Sequence, residues 1–130
     1  MEGEPTKSME QVILEDGRYP PEAYGFLHDG LNRAVRAMYG EEAGSGQRHV
    51  SGRELCEALR DLALERYGML AETVLHKWGI HETVDFGHMV YLLIDNNFMR
   101  KTDDDSLEDF RDVYDFDKAF RGYEAFELKE

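Results

Sequence analysis

The chain has 130 residues, of which 28 are acidic and 15 are basic, and its formal net charge is −13. A chain of this length fits one domain, and folding is expected to bury about two-thirds of its surface, enough for one core without metal or disulfide support. The charge disfavours nucleic acid and anionic lipid as partners, because both bind through Lys and Arg side chains that displace counterions. The acidity itself is typical of a salt-rich habitat or of general solubility. A basic partner is the alternative explanation.

The terminus and the single cysteine bear on where the protein works. The first residues, MEGEPTKSMEQ, are polar and acidic and lack the apolar core of a signal peptide. The longest uncharged apolar run, Met89 to Ile94, is too short to cross a bilayer. Cys56 has no cysteine partner, and its helical surroundings predict a small buried side chain rather than a nucleophile. We therefore predict a cytoplasmic protein with no membrane partner.

Apolar residues recur at three- and four-residue steps along most of the chain, which predicts amphipathic helices. Pro20 and Pro21 suit the first turn of a helix, and Ser51 with Glu54 forms a capping box before the next one. Residues 41–49 are rich in glycine and predict a flexible loop between them. The predicted fold is mainly α, with a disordered lead at 1–7 and one helical domain at 8–126 that holds helices at 8–15, 21–40, 51–67, 70–78 and 84–97.

The helical period stops after Asn97. Residues 98–102 and 113–116 fit two short strands of a β-hairpin, and Ser106 between them can cap one helical turn. A closing helix or turn is predicted from Phe116 to Tyr123. This order is typical of a winged helix-turn-helix fold, which we predict for the C-terminal half, with a plain helical bundle as the alternative.

The charge pattern disfavours DNA binding by such a fold. The predicted recognition helix, TVDFGHMVYLLIDNN, has two acids and no base, although base readout in the major groove relies on side chains such as Arg and Lys. The predicted wing, Asp103–Asp117, carries eight acids and one arginine. A winged-helix DNA binder is therefore only the third interpretation of the function.

The sequence offers no clear metal or catalytic motif. His76 and His81 are separated by a helix end, a spacing that does not place both on one helix face, whereas metal ligands must converge on one point. The acidic run from Asp103 lacks the glycine and the glutamate of a calcium-binding loop. No phosphate-binding loop, nucleophile elbow or metalloprotease motif occurs. We therefore predict no metal, no cofactor and no catalytic residue.

One segment, DGRYPPEAY at residues 16–24, has an unusual composition. Its two prolines lie between Tyr19 and Tyr24, next to Arg18, which predicts a rigid shelf. With His49, these three residues make a candidate ligand-binding site. The alternative is that the segment only packs the start of a helix.

Seven blocks of sequence span most of the chain: DGRYPPEAY (16–24), HVSGREL (49–55), ALERYG (63–68), VLHKWGI (74–80), DFG (85–87), RKT (100–102) and FRDVYDF (110–116). Together they resemble the Minf-type family of uncharacterised bacterial hypothetical proteins. The similarity covers roughly residues 8–121 and departs mainly at 41–47, where the loop is longer than expected. The resemblance implies a stand-alone bacterial domain and brings no activity or catalytic residues with it.

The predicted function is a non-catalytic protein-interaction or self-association module, with a protein partner or a second copy as its target. The alternative is a small-ligand-binding protein or an enzyme that uses the Arg18–Tyr24 segment. A closed polar pocket would favour the ligand, and an exposed apolar patch would favour the partner.

Overall fold

Helices dominate the computed structural model, which describes residues 7–40 and 49–121. The predicted mainly α fold is confirmed. Residues 1–6 of the predicted lead, residues 41–48 of the predicted loop and the last part of the predicted domain, 122–126, lie outside the described residues. The α-helices are α1 (Met9–Asp16), α2 (Pro21–Tyr39), α3 (Gly52–Tyr67), α4 (Ala71–Lys77) and α5 (Thr83–Asp95). Single turns form at Gly68–Leu70, Leu107–Phe110 (both 3₁₀) and Asp117–Arg121 (π).

Capping groups fix where the helices begin. The predicted box at Ser51 is confirmed: its hydroxyl accepts from the Glu54 amide at 3.1 Å, and the Glu54 carboxylate accepts from the Ser51 amide at 2.9 Å. Ser8 and Gln11 form the same pair of bonds at the start of α1. These bonds satisfy amides that have no partner in a first helical turn.

A close approach of two helices builds the centre of the core. Gly30 of α2 faces Leu59 of α3, and a Cβ at position 30 would overlap the leucine side chain. Leu59 and its neighbour Cys56 have no exposed surface, as predicted for the cysteine. Burial raises the pKa of the Cys56 thiol to about 12, so it stays protonated and unreactive at neutral pH.

Phe110 closes the helical core between α3 and α5. Its ring occupies space that Gly52 and Gly87 leave open, because a Cβ at either position would lie within 3.0 Å of the ring. The buried Thr83 hydroxyl donates to the Phe110 carbonyl at 2.6 Å and accepts from the Val113 amide at 3.1 Å. The segment after Ser106, which caps its turn as predicted, is therefore fastened to α5 by packing and by hydrogen bonds.

The predicted β-hairpin and winged-helix arrangement are wrong. Residues 98–102 and 113–116 form no strand. Asn97 takes a left-handed φ of 68° and the Phe98 amide bonds to the carbonyl five residues back at 2.8 Å, so α5 ends in a tight reversal. The Val113 amide bonds to a threonine side chain of α5. The backbone groups that a hairpin would pair are thus used elsewhere.

Trp78 packs where the end of α4 meets α2 and α3. Its ring contacts Phe26 of α2 and Tyr67 of α3, with ring centroids 5.6 Å and 6.2 Å apart. Trp78 is only partly buried. The fully buried side chains at the junction of α4 and α5 are Leu75 and Ile80.

Candidate functional site

The structure does not bring the four predicted ligand-binding residues into one site. Arg18 and Tyr19 line a groove beside α4. Tyr24 is buried in α2, and its hydroxyl has no hydrogen-bond partner among the described residues. His49 lines a separate cavity between α3 and α5. Of the four predicted residues, only Arg18 and Tyr19 line the same groove.

The first surface is a groove of about 410 Å³ between the end of α1 and the end of α4, here named the Trp78 groove. Its apolar part is formed by Ile13, Leu14, Tyr19, Pro20, Pro21 and Trp78. Among the described residues of the lining, Arg18 and Lys77 are the charged ones, and none is an acid. The groove is therefore cationic on a chain whose net charge is −13.

A buried hydrogen-bond network holds the floor of the groove in place. The Tyr19 hydroxyl donates to Asp85 at 2.6 Å, and the other oxygen of Asp85 accepts from the amides of His81 and Glu82 at 2.8 and 3.1 Å. Burial alone would raise the pKa of Asp85, but the Tyr19 hydroxyl and the two amides outweigh it and lower the pKa below its ordinary value. Burial, followed by the bond to Asp85, raises the pKa of Tyr19 far above its ordinary value.

His88 lies at the edge of this cluster. Its Nδ1 lies 3.4 Å from the Tyr19 hydroxyl oxygen and 3.6 Å from an Asp85 oxygen. Both oxygens of Asp85 accept hydrogen bonds, and those bonds fix Tyr19 and the start of α5.

The Trp78 groove adjoins an exposed apolar strip. Leu14 on its edge is 58% exposed, and Leu70 is 63% exposed. Leu70, Val74 and Trp78 follow one another at four-residue steps, so they lie along one side of the same helical segment. Exposed apolar residues that form a continuous patch mark interaction sites more often than isolated ones do.

The second surface is a cavity of about 280 Å³ between α3, α5 and the segment that follows α5, here named the Tyr91 cavity. Most of its lining is apolar, and five of the lining residues are polar or charged. The apolar residues are Leu31, Val50, Leu55, Val90, Ile94, Met99 and Phe110. The polar ones are His49, Tyr91, Arg100, Lys101 and Asp105.

The charged residues around the Tyr91 cavity differ in whether they have a partner. Asp105 is the acid of the lining, and both its oxygens are engaged: one lies 3.2 Å from His49 Nε2, and the other accepts from the Thr102 amide at 2.8 Å. In the part of the chain that the structure describes, neither Arg100 nor Lys101 has an ion-pair partner. The described lining of the cavity therefore carries two cations and one acid.

The histidine pair near α4 is a feature that the sequence analysis missed. His76 and His81 lie with their ring centroids 4.6 Å apart, and Phe116 stacks on His76 at 6.3 Å. Gly79, with a φ of 86°, returns the chain so that the two rings meet across the turn. Within residues 7–40 and 49–121, no group of three His, Cys, Asp or Glu side chains is placed to hold a metal ion.

Comparison of the chain with protein-family models, with curated proteins and with solved structures finds no match. The resemblance to the Minf-type family therefore stays a prediction. Among the described helices, none is both long enough and apolar enough to cross a membrane. The function has to be inferred from the two surfaces themselves.

Proposed function

We propose that the protein is a non-catalytic interaction module that binds an acidic, apolar segment of a partner protein in the Trp78 groove. The composition of the groove carries this proposal: Arg18 and Lys77 accompany an apolar floor, and the described part of the lining holds no acid. A bound segment would bury apolar side chains against Leu14 and Trp78, and its carboxylates would lie near the two cations. Aromatic anchors of this kind supply much of the energy of protein interfaces, and complementary charge supplies specificity.

The groove is also held in shape before a partner arrives. Pro20 and Pro21 restrict the backbone at the start of α2. The bond from Tyr19 to Asp85 links the floor to α5, and Arg18 lies over the Tyr19 ring, 5.5 Å from its centroid. A surface that is ordered in advance loses less conformational entropy on binding.

Other functions have less support. Among the described residues, the lining of the Trp78 groove contains no His, Cys, Asp or Glu, so an enzyme acting there would depend on Lys77 or Tyr19 as its acid or base. A winged-helix DNA binder is not proposed further, because its hairpin does not form. The cytoplasm is kept as the proposed compartment, because Cys56 is the single cysteine of the chain and no disulfide can form within it.

A displayed library of random peptides tests the proposal. Peptides selected on the wild-type protein should combine acids with large apolar residues. They should bind the variant Arg18→Gln/Lys77→Gln at least about tenfold more weakly, the loss expected when about 1.4 kcal/mol of charge pairing disappears. Leu14→Asp should weaken them further.

The matched control is Arg36→Gln/Lys118→Gln, which removes two charges from exposed positions outside the groove and the cavity. It should leave the affinity unchanged. Selection of basic peptides, or equal losses in both double variants, would contradict the proposal. Sedimentation shows whether a second copy occupies the groove instead: a dimer that Leu14→Asp dissociates would replace the partner segment as the occupant.

A further inference from the structure

We infer that the Tyr91 cavity is a separate binding site for a small organic anion, a carboxylate or similar oxyanion carried on an apolar body. The site is separate from the Trp78 groove, since the described residues of the two linings do not overlap. Its volume of about 280 Å³ lies near the lower end of the range of about 300–1,000 Å³ for ligand pockets. The ligand is therefore small.

The apolar part of the cavity selects the body of the ligand. Leu55, Val90 and Phe110 are buried and connect the lining to the core, so this wall is rigid. Met99 is only partly buried and has a flexible side chain that can adapt to the ligand. Burial of a short alkyl or aryl group against this wall would supply the non-specific part of the affinity.

The charged residues of the lining select an anion. Arg100 and Lys101 are exposed and belong to the lining. Among the described lining residues they face one acid, Asp105, whose oxygens also contact His49 and the Thr102 amide. A carboxylate placed over the apolar wall beside the two cations would gain more attraction than repulsion, which favours an anionic over a neutral ligand.

Tyr91 adds a hydrogen-bond donor that needs a partner. Its hydroxyl oxygen is inaccessible to solvent and has no hydrogen-bond partner within the described part of the chain. The Tyr91 side chain is only partly buried and belongs to the lining of the cavity. Buried hydroxyls are normally paired, and a bound oxyanion would supply the missing acceptor.

Three probe molecules test separately whether the carboxylate and the alkyl chain of a ligand contribute to binding: octanoate, octanol and acetate. Octanoate carries both an alkyl chain and a carboxylate, octanol lacks the charge, and acetate lacks the chain. Isothermal titration calorimetry should give octanoate at least about tenfold higher affinity than either of the others. In ¹⁵N-labelled protein, octanoate should shift the amide signals of Val90 and Lys101 and leave the indole signal of Trp78 in place.

Substitutions test which side chains of the cavity contact octanoate. Arg100→Gln/Lys101→Gln should weaken octanoate at least about tenfold, and Tyr91→Phe about fivefold, the ratio that one ordinary hydrogen bond supplies. The control Arg36→Gln/Lys118→Gln should bind as the wild type does. The inference is overturned if octanoate does not bind, if octanol or acetate binds equally well, or if both double variants lose affinity equally.

Discussion

The substitution Thr83→Val should destabilise the protein more than its small change in size suggests. The hydroxyl of Thr83 is fully buried and makes two bonds, to the Phe110 carbonyl at 2.6 Å and from the Val113 amide at 3.1 Å. Valine keeps the shape of threonine and removes both bonds. A carbonyl and an amide then lose their partners in or near the core, and each such loss costs about 1–3 kcal/mol. We expect the free energy of unfolding to fall by about 2–4 kcal/mol.

Thr83→Ser is the matched control. Serine keeps the hydroxyl and loses one methyl group, which should cost about 1 kcal/mol. Urea denaturation followed by circular dichroism gives both values, and hydrogen exchange at the Val113 amide gives a local readout. The amide should lose protection in the valine variant and keep it in the serine variant. If Thr83→Val costs no more than Thr83→Ser, the two hydrogen bonds do not hold the segment 107–113 to α5.

Three further predictions follow from buried groups. Trp78→Ala should cost about 2–4 kcal/mol in urea denaturation, somewhat less than a fully buried aromatic, because the ring is partly exposed; a loss below about 1 kcal/mol would show that its ring contacts are weak. The Cys56 thiol should react with a disulfide reagent only after unfolding, because its pKa is about 12; rapid reaction in native buffer would contradict its burial. The folded pKa of Asp85 is lowered, so its contribution to stability is present above the ordinary aspartate range, about pH 4, and is lost as the pH falls through the folded value. Asp85→Asn should therefore be less sensitive to acid than the wild type between about pH 5 and pH 2, and equal acid sensitivity would refute the assignment.

The helices could be predicted because their signals are local. Ser51 and Glu54 form the capping box of α3, and Pro20 and Pro21 stand at the start of α2. Each pair lies within a few residues of the helix end that it determines. The predicted hairpin failed because its outcome depended on distant groups. The Val113 amide is paired with Thr83, thirty residues earlier in the chain, and the residues between 98 and 116 give no sign of that partner.

The candidate site was predictable only in part. The unusual composition of residues 16–24 marked Arg18 and Tyr19, and both line the Trp78 groove. Lys77 joins them because the turn after α4 lies against the segment between α1 and α2: a Cβ at Gly79 would be 3.5 Å from the Arg18 carbonyl oxygen. No local pattern reports this tertiary contact. His49 was grouped with them by residue type, and the fold places it at the Tyr91 cavity instead.

The most direct test of the interaction proposal uses the single tryptophan of the chain. Trp78 lines the groove, so its indole N–H gives one unambiguous NMR signal that reports occupation. On titration with an acidic, apolar peptide selected on the wild-type protein, this signal should shift until it saturates, and the shift should require a higher peptide concentration in Arg18→Gln/Lys77→Gln. An indole signal that stays in place while the peptide is demonstrably bound would contradict binding in the Trp78 groove.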